Sequence, residues 1–274
     1  MKVTIYATAD HQTECGRAMI DGLARHGIAA DMRRPMEYAP SDLAVVWGHR
    51  QHRIMQGQQG AGRRYLVMER GYFRDRFAYF SLGYDGLNGR ADFLNAGMPG
   101  DRWKLHGVAL APWRDPGEGS IALVCGQVPG DAALKHVNYR RWQEGAVIDA
   151  KRYGLPVVFR PHPHRLARGD GTHLRVKLST RPLAEDLHRA AVVVTLNSNT
   201  GVDAAIAGVP VVTSDVGAMA RAVSAHRIGE ISRPPREQWA ADLAYAQWTL
   251  DEIRSGEAWA HIGRGAMLAP RAVA

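Results

Sequence analysis

Two short clusters hold the side chains with which this chain could bind an anion. Arg160-Pro161-His162-Pro163-His164 closes an apolar run that starts at Leu155, and Asn197-Ser198-Asn199-Thr200-Gly201 closes a second apolar run that starts at Ala191. Asn, Ser and Thr before a helix accept hydrogen bonds from its first free N–H groups. A helix N-terminus rimmed with hydroxyls is a site for phosphate, and Gly201 lets backbone or ligand approach closely. An ordinary capped helix in an α/β domain would carry the same residues. In the other cluster, Pro161 and Pro163 hold the chain extended. A guanidinium and two imidazoles then stand where a buried strand ends, which is where open α/β sheets bind ligands.

The elements that must position these groups alternate along the chain. Residues 3–7, 29–33, 43–47 and 65–68 are apolar and read as strands, with a helix over 14–26 stopped by Gly27. Residues 71–100 are rich in aromatics and glycine without a clear period, and the turn-rich 112–119 (PWRDPGEG) reads as a domain boundary. The pattern then restarts: strands over 120–125, 156–160 and 174–178, helices over 139–153 and 183–190, then strand 192–195, helix 202–207 and strand 209–213. A terminal helix over 237–254 carries Trp239, Leu243, Ala246 and Leu250 at helical spacing, a stripe read as core. Strands alternating with helices predict a parallel, doubly wound sheet in each half. The expected division is 1–115, 116–254, and a tail 255–274 that crosses back to the first domain and frays at its end.

The two clusters together resemble the nucleotide-sugar half of GT-B glycosyltransferases, of the capsule-polysaccharide, Kdo- and sialyl-transferase type. The His-Pro motif of that family is similar to Arg160-Pro161-His162-Pro163. Its Ser-rich motif and following Gly-Xaa-Pro-Val strand are similar to Asn197–Gly201 and Gly208-Val209-Pro210-Val211. The resemblance spans roughly residues 120–225. It implies an α/β, GT-B-like fold of two Rossmann-like domains whose parallel sheets face a central cleft, the first domain taking the acceptor. It implies that His162, Ser198 and Thr200 hold the donor phosphate and that Asp203 lies near the donor ribose. Asn199 departs from the family pattern, which often has a second Ser or Thr there. A UDP-sugar 2-epimerase shares this architecture but needs several carboxylates around the sugar, and no clear set is present.

Glycosyl transfer requires the charge growing on the departing phosphate to be neutralised and the acceptor hydroxyl to be positioned. Arg160, His162 and the helix start at Asn197–Gly201 suit the first task without a metal. Gly126 and Gln127 follow the first strand of the second half, where glycine lets backbone reach a pyrophosphate, or forms a plain turn. An inverting enzyme also needs a base; Asp10, at the tip of the first strand, is the first choice and His11 the second. The segment 69–93 interleaves Tyr72 and Tyr84 with Arg70, Arg74 and Arg76, and His49 and Arg50 stand on the same rim. Aromatic faces beside arginine suit an unstacked base and its phosphates, whereas a loop-rich mini-core would look alike. This segment resembles phage-encoded glycosyltransferase-like proteins.

Charge points the same way. The 274 residues carry 35 Lys and Arg, only five of them Lys, and a net charge of +8. Arg makes bidentate contacts with phosphate, so an anionic partner is favoured, although a GC-rich genome also enriches Arg. The preferred reading is a metal-independent glycosyltransferase with no bound cofactor, using a UDP-, CMP- or GDP-sugar and acting on a hydroxymethylpyrimidine in phage DNA. A surface-glycan acceptor is the first alternative, and a noncatalytic nucleic-acid-binding protein the second. No window approaches the ~20 apolar residues of a membrane span. The start of the chain reads as a strand rather than a signal peptide. Cys15 and Cys125, far apart, imply a reducing compartment, taken as cytoplasm, and neither disulfide nor zinc site.

Overall fold

A computed structural model describes residues 1–115, 117–167 and 173–269; the expected fraying of the last residues falls on 270–274, outside these. The elements in chain order are β1 (Lys2–Tyr6), α1 (Asp10–Arg25), β2 (Ala29–Arg33), β3 (Leu43–Trp47), α2 (His52–Gly60), β4 (Tyr65–Arg70), β5 (Tyr79–Tyr84) and α3 (Asp101–His106). There follow β6 (Ile121–Cys125), α4 (Tyr139–Arg152), β7 (Val157–Arg160), α5 (Pro163–Ala167), β8 (Lys177–Leu178), α6 (Leu183–Arg189), β9 (Ala190–Thr195), α7 (Thr200–Ile206) and β10 (Val211–Thr213). The described chain ends through α8 (Glu237–Ala244), β11 (Gln247–Thr249), α9 (Leu250–Arg254) and α10 (Glu257–Ile262). No helix among the described residues is long and apolar enough to cross a membrane.

The chain divides into two compact units, Met1–His106 with Ala240–Ala274, and Gly107–Trp239. The return to the first unit therefore begins at residue 240 rather than 255, and the first crossing precedes residue 115. In the first unit the sheet order is β11-β5-β4-β3-β1-β2. Strands β1 to β4 are parallel as expected, but β5 runs antiparallel to both its neighbours, β4 and β11, so this sheet is mixed. The expected single helix over 237–254 is broken for the same reason. Gln247 to Thr249 pair with Ser81 to Tyr79, and the Gln247 Oε1 accepts from the Tyr72 N–H at 2.7 Å. Thr249 then starts a new helix, its hydroxyl accepting from Glu252 N–H at 3.2 Å while the Glu252 carboxylate accepts from Thr249 N–H at 2.7 Å, a reciprocal capping box. The stripe read as core is core: Trp239, Leu243 and Ala246 are all buried.

Helix α1 begins four residues earlier than expected, because Gln12 folds back to accept from Thr8 N–H at 3.0 Å. It lays Cys15, Ala18, Met19 and Leu23 on the core and ends at Gly27, whose φ of +70° makes the left-handed stop. Gly22 is where α9 crosses it: a Cβ there would lie 2.0 Å from the Ile253 carbonyl oxygen.

The second unit carries a parallel sheet in the order β10-β9-β6-β7-β8. Strand β6 is buried on both faces, as a central parallel strand must be. The expected strand over 174–178 shrinks to Lys177–Leu178, both exposed at the sheet edge. From β6 the chain winds out through β7 and β8 on one side and returns through β9 and β10 on the other. The direction of winding thus changes between β6 and β9, the position where such sheets open a ligand crevice beyond the strand ends.

Candidate functional site

Register brings the second unit's motifs to one level. Cys125 pairs with Arg160 on one side and Thr195 on the other, so β7, β6 and β9 end in line. Adjacent strands are ~4.8 Å apart. The segments 126–127, 161–164 and 196–201 therefore leave the sheet side by side at the β6/β9 switch point.

The Asn197–Gly201 turn is rigid. Asn197 is 3 % exposed; its Oδ1 accepts from Gln127 Nε2 at 2.7 Å, and its backbone N–H donates to Gln127 Oε1 at 3.3 Å. Those two predicted residues thus bind one another across the switch point. The Ser198 Oγ accepts from Thr200 N–H at 3.2 Å and lies 3.2 Å from the Thr200 hydroxyl. Both remain part-exposed, as do Asn199 and Asp203. Helix α7 starts at Thr200, and Gly201 is buried. Beneath Gln127, Gly126 is needed by close packing: a Cβ would lie 2.6 Å from Phe159 Cζ.

His162 is half-buried, and its Nδ1 accepts from the His164 N–H at 3.2 Å. Burial, then the neighbouring His164 imidazole, lower its pKa, while Asp131 opposes them. The neutral ring therefore carries its hydrogen on Nε2, able to donate to an oxyanion. Cys125 is fully buried, which pushes its thiol up to about 12 and removes it as a nucleophile.

Arg160 requires a correction. Its guanidinium is engaged at the β8 edge, donating through Nη1 to Asp186 Oδ2 at 2.7 Å and to the Arg181 carbonyl oxygen at 2.5 Å. Asp186 is completely buried and also accepts from the Ser179 hydroxyl. A buried carboxylate demands such a partner, so this arginine closes the sheet edge.

Two residues escaped the sequence reading. Asp215, two positions beyond β10 and 6 % exposed, holds His136 Nε2 at 2.5 Å. The signal for Asp215 was present, since it ends the run Val211–Ser214 at a strand's carboxyl end. His136 lies in an irregular loop and had none. A cavity of about 740 Å³ runs between α4, at Trp142 and Ala146, and the Val194 and Val212 face of the sheet. It exists because residues 214–236 form only short turns where a crossover helix would cover the sheet. None of the predicted residues lines it.

In the first unit the winding changes between β1 and β3, and the predicted groups partly gather there. Asp10 is exposed as the first residue of α1. His11 meets the edge of Trp47 at 4.8 Å, and the Arg70 guanidinium lies 5.6 Å from the same ring. A His49 ring nitrogen sits 3.2 Å from the Tyr65 hydroxyl, while Arg50 and Arg74 are exposed. Three assignments are corrected. Tyr72 and Tyr84 are 1 % and 0 % exposed, packed under the sheet and closed to any base. Tyr84 donates to the Ile262 carbonyl oxygen at 3.0 Å. Arg76 is spent on the turn, donating to the Tyr72 carbonyl oxygen at 3.2 Å. The mini-core alternative was the right one for these aromatics.

Neither a protein-family model nor a curated protein sequence matches the chain. Solved structures do. The Thermosulfurimonas dismutans KpsC β-Kdo 2,4 transferase aligns with a TM-score of 0.59 at 13 % identity, over 91 % of this chain and 92 % of that one. The KpsC β-Kdo 2,7 transferase of the same organism aligns with a TM-score of 0.53 at 13 % identity, over 94 % and 98 %. The expected GT-B fold is therefore the fold of this chain.

Proposed function

We propose that this chain is a glycosyltransferase that takes a sugar from a nucleotide-sugar donor and places it on a glycan hydroxyl. The observation that carries the reading is the common level at which Gly126-Gln127, Pro161-His162 and Asn197–Gly201 leave β6, β7 and β9. The similar solved structures are Kdo transferases, which supports sugar transfer on this fold.

In this reading Ser198, Thr200 and the first N–H groups of α7 hold the donor phosphate, with the His162 Nε2–H donating to it. Gln127 and Asn197 hold the two loops together, and Asp203 faces the ribose. These dipoles, rather than a metal, meet the charge on the leaving phosphate, a role that preorganised N–H donors fill well in a site closed to water. Asp10 takes the acceptor proton if the reaction inverts. A glycan is preferred to modified DNA as acceptor because the DNA reading leaned on Tyr72 and Tyr84, which are core residues.

The test is thermal stability against UDP, GDP, CMP and their common sugar conjugates at millimolar concentration. Ligand that binds only the folded state raises the melting temperature. One nucleotide should do so, and His162→Ala and Ser198→Ala should abolish the rise. No rise with any nucleotide overturns the proposal, and binding to DNA that weakens steeply with salt would then favour the nucleic-acid alternative.

A further inference from the structure

The first unit carries a side-chain cluster that donor binding does not use. Strands β1, β3 and β4 run parallel, and β3 and β4 end at Trp47 and Arg70. Helix α1 follows β1, so His11 stands against Trp47 where the winding of this sheet changes, the position at which such sheets take ligands. The Arg70 guanidinium sits there among three rings, 5.6 Å from Trp47, 5.1 Å from Phe77 and 5.3 Å from Phe80.

Three arginines of this unit lie over aromatic rings, and two of them are matched by carboxylates. Arg64 lies over Tyr84 and pairs with Asp85 and Asp92. Arg102 lies over Trp248 and pairs with Glu252 and Glu257. Arg70 pairs with no carboxylate among the described residues; the adjacent Glu69 accepts from its backbone N–H at 2.9 Å instead. Its Nη1 donates to the Phe77 carbonyl oxygen at 3.1 Å, and its Nε and Nη2 make no hydrogen bond to a described residue. Water reaches these two atoms, because the buried side-chain nitrogens without a partner among the described residues belong to His106, Trp142 and Trp248. That edge of the fork is the geometry that takes a carboxylate bidentately.

Phe77 adds an apolar wall. It is 75 % exposed, yet its turn is fixed. Its N–H donates to Asp75 Oδ1 at 2.9 Å, its carbonyl oxygen accepts from Arg70, and Ala78 N–H donates to the Asp75 carbonyl oxygen at 3.0 Å. A ring already held in place loses little freedom when a ligand packs on it. Aromatic walls with a few placed polar groups are how proteins hold small molecules.

Resting on the transfer reading above, we infer that the acceptor is a saccharide bearing a carboxylate. Arg70 takes the carboxylate through Nε and Nη2, and the ring of that sugar packs against Phe77. One positioned cation matches one anionic group. A nucleic-acid strand carries a phosphate at every nucleotide and needs a groove of cations with successive stacking rings. Here Arg76 is spent on the Tyr72 carbonyl oxygen, and Tyr72 and Tyr84 are core.

Binding is read on an array of immobilised glycans ending in uronic acid, sialic acid or neutral sugars, with single-stranded DNA alongside. The proteins are the wild type, Arg70→Gln, Arg70→Lys, Phe77→Ala and Arg17→Gln. Arg17 is exposed on α1, so its variant removes an equal charge and controls for the net charge of +8. The wild type and Arg17→Gln should hold acidic glycans and lose them when the carboxylates are reduced to alcohols. Arg70→Gln should weaken that binding by about 10–100-fold, the range of a charge-assisted contact. Arg70→Lys, which keeps the charge without the fork, and Phe77→Ala should weaken it by a smaller factor. Phe77→Ala removes an exposed ring, so its melting temperature should stay near wild type, and it tests the cluster even where Arg70→Gln loosens the turn. The inference is wrong if no acidic glycan binds, if carboxyl reduction changes nothing, if DNA is preferred, or if Arg70→Gln or Phe77→Ala binds like the wild type. Thermal shifts with UDP, CMP and GDP on the same proteins separate this from the transfer reading. A nucleotide that stabilises the wild type and Arg70→Gln alike leaves that reading standing whatever the array shows. Acidic glycans bound through Arg70 with no nucleotide effect would keep the carboxylate site and remove the transfer reading.

Discussion

Replacing Arg160 separates a phosphate ligand from a structural ion pair. Its guanidinium is 13 % exposed and Asp186 is 0 % exposed, with 2.7 Å between charged atoms. At that distance the gross attraction is about 6 kcal/mol at an effective dielectric of ~20. Desolvation offsets most of this while both charges are present, so the loss follows from what the mutation leaves behind. An uncompensated buried charge costs about 3–5 kcal/mol. The Ser179 hydroxyl, within 2.8 Å and 2.6 Å of the two Asp186 oxygens, remains, which places Arg160→Met at the lower end, about 3 kcal/mol. Urea unfolding of Arg160→Met, Asp186→Asn and the double variant would show it. The double variant should recover part of the loss, with a coupling of about 1–3 kcal/mol. Nucleotide affinity of the folded Arg160→Met protein should stay within about threefold of wild type, less than a charge-assisted contact supplies. Unchanged stability together with a tenfold loss of nucleotide affinity would refute this reasoning and return Arg160 to the phosphate.

Other outcomes follow from groups elsewhere in the fold. Arg64 is 1 % exposed between Asp85 and Asp92, at 2.5 Å and 2.9 Å; Arg64→Met should lower the unfolding free energy by about 3–5 kcal/mol in urea. Gly208 has a φ of +74° and a Cβ there would lie 2.0 Å from the Pro112 carbonyl oxygen. Gly208→Ala should therefore cost more than the ~1–2 kcal/mol of the left-handed backbone alone, read as a lower melting temperature. His106 is buried with Nε2 unpartnered, and burial, then the charge of Arg102, lowers its pKa from 6.5 to about 4. The unfolded state binds the proton first, so this stability is full above pH 6.5 and is lost as pH falls toward 4. His106→Phe should remove about 2–3 kcal/mol of the wild type's decline across that window, measured by urea midpoints at pH 7 and 4.5.

Much of the candidate site was legible because it is local. A hydroxyl-rich turn before a helix, and prolines after a strand, state their geometry within a few residues, so Ser198, Thr200 and His162 stand where the motifs implied. The break in the last helix was half legible: Thr249-Leu250-Asp251-Glu252 is a capping-box pattern inside an apparent helix. Helical spacing of Trp239 to Leu250 masked it, since β11 forms only by pairing with distant β5. Tyr72 and Tyr84, assigned to a rim, are core residues for the opposite reason. Composition cannot tell an exposed aromatic from a core one without knowing that β5 pairs back along β4.

By itself the sequence determined the alternation of strand and helix, the parallel strands β1 to β4 and β6 to β10, and the segments that end beside their switch points, because periodicity, capping and proline act over single turns. Only the tertiary structure decided which charged groups pair with one another. Burial of Asp186 engaged Arg160 in an ion pair, and burial of Asp215 drew in His136 from a loop with no motif. A carboxylate removed from water takes the nearest donors that the fold supplies, and proximity across strands is not written in any stretch of the chain.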